Sequence, residues 1–159
     1  MADTTVTFAK IRPTAVVPVK RISQNKFFRK NIAYDVYADF EEPFMIIGPH
    51  TTKAIPTGIA CACEENYCLL TTETGSTTAK GVAQTVISPD FRDEIMILIT
   101  NTTNHLIIIC KDGCEVEHKK SDIIYRYEDA IAGLILIPVP DFDTEVISYE
   151  EFKRRYGDN

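Results

Sequence analysis

Residues 73–82 (ETGSTTAKGV) combine small and hydroxylated side chains with one cation, a composition that suits an anion-binding loop. Gly75 would allow a ligand to approach the backbone closely, Ser76 could donate a hydrogen bond to a phosphate oxygen, and Lys80 could supply a positive charge. On composition alone, a solvated Ser/Thr/Gly loop without a ligand is the simpler interpretation, and both stay open.

A second segment, residues 84–94 (QTVISPDFRDE), places an aromatic ring among polar and charged groups. Its side chains include Ile87, Ser88, Asp90, Phe91 and Arg92. A serine hydroxyl without a neighbouring base is a poor activator of water. Asp90 would share a face with Ser88 in a regular strand, but the intervening proline disfavours regular strand geometry.

Asp35 lies within an otherwise apolar and aromatic run, between Tyr34 and Val36. A carboxylate in such a run is costly to bury unless a cation or a hydrogen-bond donor compensates it. The alternation of the run does not say which face Asp35 occupies, so a ligand-binding aspartate and a solvent-facing aspartate remain equal alternatives.

The elements that must position these residues are short β-strands. We expect strands at residues 6–11, 34–38, 44–47, 52–55, 59–63, 68–72, 94–101, 105–111, 115–118 and 132–138. Asp112-Gly113 predicts a hairpin turn within residues 104–126, and the basic residues 20–30 predict an exposed loop. One helix is predicted near the C-terminus, with Ser148 as its N-cap and Gly157 as its C-cap. The pattern predicts an all-β barrel or sandwich with a short C-terminal helix.

Composition limits the classes of function. At 159 residues the chain is expected to form a single domain, residues 1–159. A net charge of -6 argues against a nucleic-acid partner, although it permits a small anionic ligand. The sequence contains no apolar run long enough for a membrane helix.

The five cysteines are expected to be reduced and structural in a cytoplasmic protein. Their number is odd, no secretion signal precedes them, and the paired C-x-x-C spacing of zinc sites is absent from the sequence. The number and spacing of the cysteines therefore predict neither a disulfide framework nor a metal centre.

Taken in order, several segments resemble the motifs of the trimeric dUTPase (dUTP diphosphatase) family. They are residues 31–38 (NIAYDVYA), 46–60 (IIGPHTTKAIPTGIA), 73–82, 84–94 and 127–140 (YEDAIAGLILIPVP). The resemblance implies a dUTPase-like β-barrel or jelly roll, a homotrimer, and nucleotide pockets between subunits. It also implies that Asp35 helps to hold Mg²⁺ on a triphosphate and that Ser76 contacts phosphates. Ile87, Ser88, Phe91 and Arg92 then belong to the hairpin that binds the nucleoside, with Phe91 packed under the sugar. Asp90 is the candidate base in place of the family's aspartate, and Asp35 is the other candidate catalytic residue.

The chain departs from the family pattern at the groups that carry the chemistry. Thr74 stands where the family has a phosphate-binding arginine, Ser88 where an aspartate positions water, and Gly133 where a glutamine contacts phosphates. A Gly-rich C-terminal arm is also not evident, since the sequence ends soon after the predicted helix. Threonine cannot replace the paired donors of arginine.

These departures predict an impaired enzyme that binds and sequesters a nucleotide, as a phage-encoded sponge for a host cyclic or signalling nucleotide would. No cofactor is required, with Mg²⁺ entering only alongside a triphosphate. The alternatives are a weak dUTP diphosphatase, and a protein-interaction module that engages a host protein through residues 104–126 and 20–30.

Overall fold

The computed structural model describes residues 4–22, 31–73 and 80–157, which form thirteen β-strands and one helix. The strands are β1 (Thr7–Lys10), β2 (Val19–Ile22), β3 (Asn31–Val36), β4 (Phe44–Ile47), β5 (Thr52–Pro56), β6 (Ile59–Ala62), β7 (Tyr67–Thr72), β8 (Lys80–Val82), β9 (Val86–Ile87), β10 (Met96–Asn101), β11 (Ile107–Cys110), β12 (Ile123–Arg126) and β13 (Ala132–Pro138). The helix is α1 (Tyr149–Tyr156). The predicted all-β class with a short C-terminal helix is confirmed.

The strands form four small sheets. Their orders are β2-β3-β13-β7-β9, β5-β10-β8, β12-β11-β4 and β1-β6. All pairs are antiparallel except β11 with β12, which are parallel. The five-stranded sheet matters most here, because it carries Asp35 near one edge and Ile87 at the other.

The core is built from β-branched and leucine side chains that alternate along the strands. In β10, Ile97 and Ile99 are buried, whereas Met96 and Leu98 between them are 40% and 37% exposed. This period of two is what a strand with one buried face requires. Ile55, Ile59 and Leu134 join the same buried cluster, so the core draws on different sheets.

An ion-pair network around Arg12 ties together four chain segments. The Arg12 guanidinium donates to both carboxylate oxygens of Glu94, each at 2.8 Å, and its Nε donates to Asp39 Oδ2 at 2.7 Å. Glu94 also accepts from the backbone N–H of Gly58 at 3.0 Å. Asp39 is 2% exposed, so Arg12 supplies the charge that allows this carboxylate to be buried.

Gly58 is required by the same network. Its φ is +67°, and a Cβ there would lie 2.6 Å from Asp39 Oδ2 and 2.7 Å from the Ala15 Cβ. The turn at Pro56-Thr57-Gly58 therefore depends on glycine both for its backbone conformation and for its space.

The predicted hairpin at Asp112-Gly113 is wrong. The two residues do form a turn, closed by a hydrogen bond from Cys114 N to Lys111 O, but no strand covers residues 115–118 within the described chain. Instead, β11 pairs with β4 and, after a crossing loop, with β12 in parallel. A two-residue turn signal fixes a local bend, whereas partner choice is decided by burial of Ile107, Ile108 and Ile109.

Part of the predicted loop at residues 20–30 is a strand. Lys20 and Arg21 lie in β2, which pairs with β3 across a register irregularity after Arg21. Basic side chains are compatible with this place, because β2 is an edge strand of its sheet. Residues 23–30 lie outside the described residues.

The helix has the predicted caps. Ser148 accepts a hydrogen bond from Glu151 N, and Gly157 adopts φ 85° while its N–H bonds to Lys153 O. The Glu151 carboxylate contacts Arg154 and Arg155 within the helix. All eight residues of α1 are described and none of them is buried.

The expectation of five reduced cysteines is wrong for one pair. Cys110 and Cys114 form a disulfide, because the turn between them brings their Cα atoms to 6.2 Å. Cys61, Cys63 and Cys68 are free thiols. Burial raises the pKa of Cys61 to about 11, so this thiol stays protonated and unreactive at neutral pH.

Residues 4–22, 31–73 and 80–157 contain no group of three or more His, Cys, Asp or Glu side chains arranged to hold a metal. In the same ranges, no helix has the length and apolar character needed to span a membrane.

We predict that Arg12→Met lowers the free energy of unfolding by about 2–4 kcal/mol, measured by urea denaturation. The value lies at the lower end for a buried pair because the Arg12 side chain is 36% exposed. Asp39 would remain buried without its cation. As a matched control, Arg126→Met removes an exposed ion pair with Glu128 and should change stability little. Equal effects of the two substitutions would contradict a central role for Arg12.

The same network predicts a pH dependence. Hydrogen bonding to Arg12 lowers the pKa of Glu94, so its contribution is present above the unfolded pKa of about 4.3 and is lost as pH falls through the lower folded value. The stability gap between the native chain and Glu94→Gln should therefore be constant at neutral pH and close in acid. A stability difference that widens in acid would contradict a lowered pKa of Glu94 in the folded state.

We predict that Gly58→Ala destabilises the protein by about 2 kcal/mol or more, because the left-handed backbone and the clash with Asp39 add together. Gly81→Ala is the control: a Cβ added there would have no atom within 4 Å and the backbone φ is ordinary, so stability should stay equal or rise slightly. Melting temperatures of the two variants compare them directly, and similar values would contradict the steric argument.

Candidate functional site

A tight turn after β9 carries most of the residues proposed for ligand contact. Phe91 N donates to Ser88 O at 3.1 Å, which closes the turn, and the Ser88 hydroxyl donates to Asp90 Oδ1 at 2.7 Å. Ser88 and Asp90 are thus brought together by a turn and not by a regular strand, as the proline between them suggested. Both side chains are exposed or half-buried.

The hydrogen bond from Ser88 lowers the pKa of Asp90, and its own backbone and Arg92 act in the same direction. A carboxylate with a lowered pKa remains ionised but is a weaker base toward water. The turn therefore holds a fixed negative charge, and it offers little driving force for proton abstraction.

Arg92 braces this turn. Its Nη1 donates to Pro89 O at 2.7 Å and to Phe91 O at 2.9 Å. The side chain is exposed, so its remaining donors face solvent beside Asp90. Arg92 can position the Phe91 ring and still contribute a positive charge to a ligand.

An apolar cavity of about 220 Å³ lies beneath the turn. It is lined by Thr71, Thr85, Val86, Ile87, Phe91, Glu94, Ile95, Met96 and Leu98. The volume is smaller than the roughly 300 Å³ typical of drug-sized ligand pockets, so it suits one flat or cyclic part of a ligand. Ile87 and Phe91, both predicted from sequence, lie in its wall, and Glu94 links it to the Arg12 network.

Lys80, which the sequence suggests as a source of positive charge for a ligand, is buried. It is 6% exposed, and its Nζ donates to Glu73 Oε1 at 2.6 Å and to Ile131 O at 3.0 Å. These contacts clamp the two ends of residues 74–79 together. Gly75 and Ser76 lie in that stretch, outside the described residues.

Asp35 lies on the outer face of the five-stranded sheet, at 27% side-chain exposure. Gly133 is its direct neighbour on β13, and Arg21 Nη1 lies 3.7 Å from Asp35 Oδ1. The sequence reasoning missed Arg21 because it assigned the basic segment to a loop. Val19–Ile22 reads apolar, basic, basic, apolar and shows no alternation, so no local signal marked it as a strand. Once the strand forms, its period of two places Val19 and Arg21 on one face.

Asp35 fits magnesium as a single carboxylate ligand. Mg²⁺ is usually held by one or two carboxylates together with phosphate oxygens and water. The adjacent guanidinium opposes an isolated cation but is compatible with one that arrives bound to phosphates. A metal at Asp35 is thus tied to a phosphorylated ligand.

The candidate residues form two separate groups. Ile87, Ser88, Asp90, Phe91 and Arg92 are together at β9, whereas Asp35 is on β3, and the strand order separates β3 from β9 by β13 and β7. With adjacent strands about 4.8 Å apart, β3 and β9 are separated by roughly 14 Å. One small pocket within one chain does not contain both groups.

Comparison with known proteins identifies the family. The sequence model of the dUTPase family matches residues 23–114, more than half of the chain. No curated protein is significantly similar in sequence.

Solved structures agree in fold. The dUTPase from phage phi11 of S. aureus superimposes with a TM-score of 0.65 at 16% identity, over 90% of this chain and 96% of that chain. The Staphylococcus bacteriophage 80alpha dUTPase with dUPNHPP gives a TM-score of 0.65 at 17% identity, over 90% and 88%. A mutant of the phi11 enzyme is described as coordinating a structural Mg(II) ion.

At such identities the structural likeness establishes the fold, and the family model establishes descent. Both agree with the order of the motifs along the sequence, so the predicted membership is confirmed. The chain belongs to the dUTPase family.

Proposed function

We propose that this protein binds a nucleotide at a subunit interface and hydrolyses it poorly or not at all. The observation that carries the proposal is the Ser88–Asp90 turn above the apolar cavity. The cavity and the Phe91 ring supply a surface for a sugar or base. The position where the family resemblance places a water-activating aspartate holds a serine that donates to Asp90.

Weak hydrolysis follows from the state of Asp90. As the remaining carboxylate of the turn, it accepts a hydrogen bond from the Ser88 hydroxyl and has a lowered pKa. Loss of a positioned general base costs typically 10²–10⁴-fold in rate. A weak dUTP diphosphatase, with Asp90 as the base, is the alternative, and it would give dUMP and pyrophosphate at a low rate.

A homotrimer would unite the two groups of site residues. The Phe91 group and Asp35 lie at separate places in one sheet, so a ligand contacting both needs them from different copies. Apolar side chains available for such contacts include Val19 and Val86, exposed by 51% and 67%, and Phe142 and Val146, exposed by 79% and 92%. Exposure of this extent is typical of surfaces that another chain covers.

The ligand would carry fewer charges than a triphosphate. Thr74 cannot grip phosphates as an arginine does, and Lys80 is occupied by Glu73. A nucleoside monophosphate or a cyclic mono- or dinucleotide, with fewer negative charges than a triphosphate, suits a site with fewer cations. A phage protein that sequesters such a host signalling nucleotide would have this combination of binding and slow turnover.

A protein-interaction role is the second candidate. Residues 104–126 do not form the hairpin first expected, but α1 and the segment before it expose Phe142, Val146 and Tyr149. Deleting residues 141–157 should then abolish capture of a protein partner while leaving nucleotide binding unchanged. Loss of the oligomer in that variant would instead assign the segment to contacts between copies.

We predict that a nucleotide raises the melting temperature in a panel of dUTP, dUMP, ordinary nucleotides and cyclic mono- and dinucleotides, with and without Mg²⁺. A ligand at 100 times its dissociation constant adds about 2.7 kcal/mol to stability. Phe91→Ala should remove the shift, and Phe152→Ala, which removes a half-exposed ring on α1, is the control. A flat panel at millimolar concentration would contradict the proposal.

We predict that Ser88→Asp raises dUTP turnover at least about tenfold, because a carboxylate supplies the base that serine lacks. Ser88→Asn is the matched control and should stay at the native rate. Release of pyrophosphate provides the assay. Native turnover at an ordinary enzymatic rate of about 1 per second or faster would refute the impaired chemistry while leaving nucleotide binding in place.

A further inference from the structure

Four side-chain positions line up across the outer face of the five-stranded sheet. Val19 pairs with Asp35, Asp35 with Gly133, and Gly133 with Thr72, so these residues point to one face. Arg21 lies two residues beyond Val19 and shares that face. The register therefore brings a guanidinium, a carboxylate and a hydroxyl to a position where the central strand has no side chain.

The glycine at position 133 is explained by the space above it. A Cβ there would lie 3.3 Å from Arg21 Nη2 and 3.1 Å from Thr72 Cγ2, closer than ordinary contact. Gly133 has no left-handed φ, so backbone conformation does not demand glycine. Glycine within a strand is unfavourable by about 0.5–1 kcal/mol relative to alanine, and here it lets the guanidinium lie across β13.

The ion pair of Arg21 with Asp35 is longer than that of Arg12 with Glu94, and Arg21 has other contacts within the protein. Arg21 Nη1 is 3.7 Å from Asp35 Oδ1, whereas Arg12 reaches Glu94 at 2.8 Å through two nitrogens. The Arg21 side chain is 30% exposed. A guanidinium carries five N–H donors in a planar fork, so it can keep contacts with the protein and still bind an oxyanion.

The cluster is also close in sequence to the candidate loop. Thr72 ends β7, and Glu73, which follows it, is clamped by Lys80 across residues 74–79. The guanidinium above Gly133 thus lies beside Thr72, at the end of β7.

We propose that Arg21 binds a phosphate group of the ligand, and that the missing side chain at Gly133 leaves the space in which the Arg21 guanidinium lies. The inference rests on the proposed nucleotide-binding function and adds to it a residue that the sequence motifs do not contain. The negative charge of Asp35, next to Arg21, disfavours a ligand carboxylate at this place. Asp35 can instead accept a hydrogen bond from a ligand hydroxyl or bind a cation that is held by the ligand's phosphate. The chemical class selected is a phosphorylated ligand, not a nucleoside.

The test compares Arg21→Gln with Lys20→Gln by calorimetric titration of deoxyuridine, dUMP, inorganic pyrophosphate and the imido analogue dUPNHPP. Lys20 is the matched control because it is the neighbouring cation of β2 and faces the opposite side. We expect Arg21→Gln to weaken binding of the phosphorylated probes about tenfold or more, since a hydrogen bond to a charged group is lost, with deoxyuridine unaffected. Lys20→Gln should stay near the native affinity.

A second variant protects the test against misfolding. Gly133→Ala keeps every charge and places a Cβ 3.3 Å from Arg21 Nη2, so the guanidinium must shift by a few tenths of an ångström. It should weaken binding of the phosphorylated probes, but less than Arg21→Gln does. Melting temperature and oligomer mass, measured on each variant, establish that the fold persists. If the two variants Arg21→Gln and Lys20→Gln bind the phosphorylated probes equally well, Arg21 is not a phosphate ligand, and the proposed function is unaffected. If the native protein binds none of these probes, the assignment of Arg21 is overturned as well. In that case, a rise in melting temperature with another nucleotide of the thermal panel would still support the proposed function.

Discussion

The burial of Asp39 against Arg12 is the interaction on which the rest of the structure depends. A carboxylate that is 2% exposed requires a cation, and Arg12 provides one while also binding Glu94 through two nitrogens. These contacts join the end of β1, the segment after β3, the turn before β6 and the segment before β10. Four regions distant in sequence are thereby fixed in one place.

Glu94 connects this network with the candidate site. It lines the apolar cavity together with Phe91, so the base of the cavity is held by the same bidentate pair that stabilises the core. The Ser88–Asp90 turn above it is free to vary in chemistry because it lies at the surface and carries none of the fold's buried contacts. This separation is compatible with the proposed weak hydrolysis, because a substitution in the turn would not disturb the ion pairs that stabilise the core.

The sequence predicted the fold class well because alternation and caps are local signals. β4, β13 and the cap residues of α1 follow from pattern alone. Partner choice does not: the turn at Asp112-Gly113 is local, but the pairing of β11 with β12 depends on burial across the sheet. Arg21 was missed for the same reason, since its place beside Asp35 and Gly133 is created by register between strands distant in sequence.

The most direct test of a nucleotide site shared between copies is binding by a mixture of two defective variants. Arg21→Gln and Phe91→Ala would each be unfolded, mixed in equal amounts, refolded together and titrated with the nucleotide that raises the melting temperature of the native protein most. If Arg21 and Phe91 of one site come from different chains, about a quarter of the sites in a random mixture contain both native residues and regain native affinity. Each variant alone would still bind weakly. A mixture that binds no better than the separate variants would contradict a shared site.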